Sequence, residues 1–207
     1  MRFKLPLLLP FGLAALLGLP AAGQKPDYRR QIQIPPQEIF TGMLRFSQEK
    51  NFAALEKSSQ LLNPLYLEVQ QSFQVDLAKE IKTGLHAQNP GHLEATVLRI
   101  IYYDMKALFR LAAREPDHSR AVIHLKTAFL DYSLLSARVQ KADFTADQMI
   151  RKLFQKAGVL AGASSPFTEQ HDADPRPELR AVTDEIETLL LNALSNLKAA
   201  PAAKPAA

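Results

Sequence analysis

From Gln37 onward, apolar residues recur every three or four positions, the period of an amphipathic helix. The first such segment, about Gln37 to Glu49, sets Ile39, Phe40, Met43 and Leu44 on one side. Asn51 is placed to cap a second, whose Phe52, Leu55 and Leu62 are inward candidates. A long segment from about Pro64 to Leu85 carries Leu65, Val69, Phe73, Leu77 and Ile81, each four apart, and ends at Gly84 and the HAQNPG turn. About His92 to Arg114 is the most apolar segment: Val97, Leu98, Ile101, Met105, Leu108, Phe109 and Ala112 form its face, with Arg99, Lys106 and Arg110 opposite. After the break Glu115-Pro116-Asp117, the stretch from about His118 to Val139 repeats Ala121, Leu125, Ala128, Tyr132, Leu135 and Val139. Asp143 or Thr145 caps a helix through about Leu160, with Ile150, Leu153, Phe154 and Ala157 inward. The last helix spans about Pro177 to Lys198 on Leu179, Val182, Ile186, Leu189, Leu190, Ala193 and Leu197. No stretch alternates with period two over strand length. The pattern predicts an all-α fold, an antiparallel up-and-down bundle of five to six helices over residues 37–198.

The flanks read differently. Arg2 and Lys4 precede an apolar run from Leu5 to Leu19, and Pro20 with Ala21, Ala22 and Gly23 offers a peptidase site. That order predicts a secretory signal peptide over residues 1–23. A membrane anchor is the alternative, but the run is shorter than the ~20 apolar residues a spanning helix needs, and Pro6 and Pro10 interrupt it. Residues 24–36, QKPDYRRQIQIPP, lack helical period and read as an extended leader. Residues 162–176 form the one long loop, and the Ala/Pro stretch 199–207 reads as a disordered tail.

Charge and cysteine usage narrow the classes. Loss of Arg2 and Lys4 with the signal lowers the formal charge from +4 to +2, and the remaining cations are interspersed with acids, which argues against nucleic acid as a partner. The absence of Cys excludes disulfides, thiol catalysis, cysteine-ligated clusters and covalent c-type haem. An exported chain without disulfides points to a bacterial periplasm, with no membrane span left after signal cleavage. There is no Gly-rich phosphate loop, no G-x-S-x-G and no H-E-x-x-H.

The candidate chemistry lies in polar residues inside apolar arcs. At about 100° per residue, Asp104 falls some 60° from Ile101, inside the apolar arc of its helix. His124 and Asp131 lie seven apart on the next helix. A hairpin about Pro116 brings Asp104 level with Ala128, between His124 and Asp131. Two carboxylates and an imidazole suit a divalent metal such as iron, manganese or zinc. The alternative is a hydrogen-bonded group that keeps semi-buried polar side chains satisfied. Met43, Met105 and Met149 lie on or near apolar faces and read as core filling rather than haem ligands. His92 and Glu94 point about 200° apart on a helix and do not chelate together. His171, Asp172 and Asp174 read as a solvated loop.

Residues Thr127–Ala157 contain an Ala-Phe-Leu-Asp run (Ala128 to Asp131), Tyr132 just after it, and an Asp-led second helix from Asp143. This stretch resembles a helical hairpin in exported regions attached to bacterial iron permeases of the FTR1 type. The chain departs from that pattern at Ser133, Leu134 and Leu135, where such hairpins tend to carry acidic residues, and it lacks a permease portion. The resemblance implies accessory work in metal uptake. The expectation from the residues themselves is an exported, periplasmic, non-catalytic bundle that acts as an accessory or binding partner of an envelope complex. A metal- or cofactor-binding bundle using Asp104, His124 and Asp131 is the alternative.

Overall fold

The computed structural model describes residues 27–162 and 174–195. The expected signal peptide, the start of the expected leader, most of the expected long loop with His171 and Asp172, the end of the expected last helix and the Ala/Pro stretch lie outside the described residues. After a 3-10 turn, Tyr28–Gln31, the described chain is built of α1 (Pro36–Gln48), α2 (Phe52–Gln60), α3 (Asn63–Phe73), α4 (Leu77–His86), α5 (Pro90–Arg114), α6 (His118–Ala142), α7 (Phe144–Leu160) and α8 (Arg176–Ala193). The fold is all-helical, but the helices number eight among the described residues rather than five or six. Each periodic segment is a separate helix, and the long segment expected from Pro64 to Leu85 is two. Gln74 adopts a left-handed conformation (φ 59°) that stops α3. Asp76 then caps α4, its side chain accepting the Lys79 amide at 2.9 Å.

Short polar residues start α2, α5, α6 and α7 in the same way. Asn51, Asn89, Asp117 and Asp143 each accept an exposed amide of the following first turn. Pro36, Pro90 and Pro177 sit in first turns, where a missing amide costs nothing. Gly84, expected to end a helix, instead lies inside α4. A Cβ there would come within 2.7 Å of His92 and Leu93, so the glycine lets α4 lie close against α5.

The centre of the molecule is α5, which touches α1, α3, α4, α6 and α8. Its expected apolar face is buried throughout. The face set opposite is partly covered as well, at Arg99 and Lys106, while Arg110 stays exposed. Arg99 is buried and paired with Glu80 of α4, and Lys106 reaches Glu187 of α8 at 2.6 Å. Periodicity marks the greasiest face of such a helix and is silent about a second, ion-paired one.

Helices α5 and α6 form the expected hairpin about Pro116. Three polar pairs set its antiparallel register: Glu94 with Arg138, Asp104 with Asp131, and Glu115 with His124. Position numbers rise along α5 as they fall along α6, which is the signature of antiparallel neighbours. The inward stripe of α6, from Ala121 through Tyr132 to Val139, is buried as expected. Met43 and Met105 are core residues, whereas Met149 is 42% exposed on α7.

Candidate functional site

The interior of the hairpin holds a charged cluster that no single helix could build. Asp104 of α5 and Asp131 of α6 are both fully buried. Their carboxyls meet within hydrogen-bonding reach of each other. Between them sits the guanidinium of Arg29, which comes from the segment before α1. Arg29 Nη2 donates to Asp131 Oδ2 at 2.8 Å and to Asp104 Oδ2, while its Nε donates to Asp104 Oδ1 at 3.3 Å. The Tyr28 hydroxyl donates to Asp104 as well. Gln37, in the first turn of α1, donates its amide to Asp131 Oδ1 at 2.6 Å.

Local structure explains why the leader delivers this arginine. Asp27 accepts the Arg29 amide at 3.0 Å and closes the 3-10 turn. That turn buries the Tyr28 ring (4% exposed) beside α3 and α5 and points Arg29 the same way. Pro35 and Pro36 then start α1, bringing Gln37 onto the other carboxylate.

The electrostatics follow from burial. Two buried carboxylates face one guanidinium, so full ionisation would leave a net negative charge in a low-dielectric interior. Burial and the neighbouring Asp104 carboxylate hold Asp131 well above the usual carboxylate range, against the pull of Arg29 and Gln37. Asp104 is also raised by burial, with Arg29 and Tyr28 opposing. One shared proton makes the pair and its arginine neutral, the arrangement that two adjoining carboxylates adopt when one of them cannot ionise. Burial weakens Arg29 as an acceptor of charge, but Asp104 and Asp131 outweigh it and hold the guanidinium protonated.

Of the three residues expected to converge, Asp104 and Asp131 do so, and His124 is directed elsewhere. Its Nε2 lies 3.9 Å from Glu115 Oε2, one end of the hairpin away from the carboxylate pair. Burial lowers the His124 pKa, with Asp27 and Glu115 pulling it up and Arg29 and Arg120 adding to the lowering. Among the described residues, no group of three or more His, Asp or Glu side chains is placed to hold a metal ion. The position between the two carboxylates, where a cation would sit, is filled by the guanidinium.

A second buried carboxylate was not singled out by the sequence. Asp147 of α7 accepts from the Tyr132 hydroxyl, from Ser136 at 3.0 Å and from Arg151 Nε at 2.9 Å. Arg151 also donates to Ser136 at 2.6 Å. Burial pushes Asp147 up, but the hydrogen bonds from Arg151, Tyr132 and Ser136 prevail and hold it below the usual carboxylate range. This network locks α6 to α7, and Tyr132 and Phe129 pack on Phe154 beside it.

None of the carboxylates Asp104, Asp131 and Asp147 lines either of two depressions on the described surface, though Gln37, which holds Asp131, borders one of them. One, of about 620 Å³, lies along α4 at Asp76, Ala78, Lys79, Lys82, Thr83 and His86. The other, of about 370 Å³, runs along the outer side of α1 from Gln37 to Arg45. No helix among the described residues is long and apolar enough to cross a membrane. No family model, no curated protein and no solved structure matches this chain.

Proposed function

We propose that this protein is an exported, periplasmic helical bundle without catalytic activity, working as an accessory or binding partner of an envelope complex. The observation that carries the reading is the clamp at Arg29. The strongest concentration of charge in the interior is consumed by the chain's own leader, and its carboxylates and guanidinium face one another rather than a cleft. A reaction centre keeps at least one such group open to substrate. The signal-like residues 1–23 support export, and the leader that follows them is the segment whose Arg29 closes the clamp.

The test is made on protein from the periplasm of its host. Intact mass should show an N-terminus at or beside Gln24, and gentle extraction followed by size exclusion should recover the chain with an envelope protein in constant ratio. A retained Met1, or a chain found only as a monomer, would overturn the reading.

The convergence of Asp104 and Asp131 supports a second reading, a metal- or cofactor-binding bundle tied to iron uptake. It requires Arg29 to leave the pair and His124 to give up Glu115. Arg29→Ala should then raise Mn²⁺ or Fe²⁺ affinity by calorimetry, and an unchanged null titration would remove this reading.

A further inference from the structure

On α6, apolar side chains also occupy the side away from the core. Ile123 and Leu130 are 58% and 55% exposed. With Thr127, the half-buried Leu134, whose side chain also packs on the core, Ala137 and Lys141 they recur at spacings of four, three, four, three and four, the seam pattern of a coiled coil. The seam lies about 180° around the helix from the buried Tyr132, so the two faces are independent. The charges on the outer side of α6 are cations: Lys126 and the ion-paired Arg120 and Arg138 border the seam and Lys141 ends it, while the one carboxylate of α6, Asp131, is buried. On the neighbouring α7 the cations Arg151, Lys152 and Lys156 are likewise set against a single carboxylate, the buried Asp147. Lys126, Lys141 and Lys152 make no ion pair among the described residues.

We infer that the outer face of α6 docks an amphipathic helix of a partner protein, with apolar residues at seam positions and acidic residues beside them. Charge complementarity selects that partner. A second copy of this chain would set the unpaired Lys126 and Lys141 against like charges, which disfavours self-pairing. The apolar strip spans only about 80° of the helix, bounded by Ser133 and Gln140 on one side and Arg138 on the other. A helix that lies on a bilayer uses an apolar face wider than about 100°. A narrow seam flanked by charge fits another helix instead.

This inference rests on the binding-partner reading and names the surface it would use. The probe is a synthetic four-heptad peptide with Leu at seam positions and Glu at the flanks; a twin with Lys at the flanks is the control, and vesicles of phosphatidylcholine with phosphatidylglycerol are the membrane arm. The full mature chain should bind the Glu peptide, more weakly as salt rises, and should ignore the Lys peptide. Ile123→Ser with Leu130→Ser should weaken binding at least ~10-fold, since two exposed anchors are lost, while the melting temperature stays put. Equal binding of both peptides, no binding of either, or an unaffected double variant would overturn the inference. So would vesicle binding that the double variant abolishes, which would make the face a lipid surface. If the double variant still co-purifies with its envelope complex, the α6 surface falls and the binding-partner reading stands. If no complex exists for the unaltered chain, that reading falls first.

Discussion

Arg29 and Asp131 are 102 residues apart in sequence and 2.8 Å apart in space, the guanidinium Nη2 against the carboxylate Oδ2. This contact binds the 3-10 turn before α1 to the middle of α6. Because the same guanidinium also holds Asp104 of α5, one side chain ties the leader to both arms of the central hairpin.

Removal of that side chain should therefore cost more than a surface ion pair. Arg29→Met leaves two buried carboxylates without their cation, a loss expected to destabilise by ~3–5 kcal/mol near neutral pH. Chemical denaturation measures it. A loss below ~1 kcal/mol, the range of an exposed pair, would mean that water already reaches the cluster.

The pH dependence carries a definite sign. Asp131 has a higher pKa folded than unfolded, so the folded chain keeps a proton that the unfolded chain releases. Its contribution is fully present below the ordinary carboxylate range near pH 4 and is lost as pH rises through the folded value. His124 acts oppositely: burial lowers its pKa, so its contribution is lost as pH falls below about 6.5. Asp131→Asn removes the first effect and leaves the second. Between about pH 5 and pH 8, unfolding free energy should decline in the native chain relative to the Asn variant. Parallel curves would show that the two carboxylates do not share a proton.

Asp147 gives the contrasting case. Its pKa is held below the unfolded value by Arg151, Tyr132 and Ser136 despite burial, so its stabilisation is present above the ordinary carboxylate range and is lost as pH falls through the folded value. Asp147→Ala should cost ~1–3 kcal/mol, because the Tyr132 hydroxyl and Ser136 lose their acceptor in the interior. Thermal melts at neutral pH would show the loss, and it should shrink in acid.

Two leucines test the facing of the central hairpin. Leu108 of α5 is fully buried, so Leu108→Ala should cost ~2–5 kcal/mol. Leu130 of α6 is more than half exposed, and Leu130→Ala should stay within ~0.5 kcal/mol. Similar losses at both positions would mean that α6 is covered on its outer side in the isolated chain.

The hairpin was legible because its determinants are local. A three-residue break fixes where the chain reverses, and helix period then sets Asp104 level with Ala128, within a turn of Asp131. The partner of those carboxylates was not legible, because Arg29 lies in a stretch with no period, and the 3-10 turn that aims it depends on the Asp27 side chain and the burial of Tyr28. A signal did exist: two inward carboxylates require a cation, and the leader carries two arginines, Arg29 and Arg30, with no helix face to occupy. His124 was misplaced for a geometric reason. A shared flank puts it on the correct side of α6, but seven residues are about 10 Å of helix, and Glu115 is nearer. The split of α3 from α4 escaped detection because Gln74, unlike Gly, gives no warning of a left-handed turn.

The central claim is that the Asp104–Asp131 pair is a clamp for the leader and not a metal site. Elemental analysis of the untagged protein, purified from its host without chelators, tests it directly. The clamp predicts no stoichiometric iron, manganese or zinc, and no change on Asp104→Asn. Near-stoichiometric metal that disappears in Asp104→Asn would contradict it.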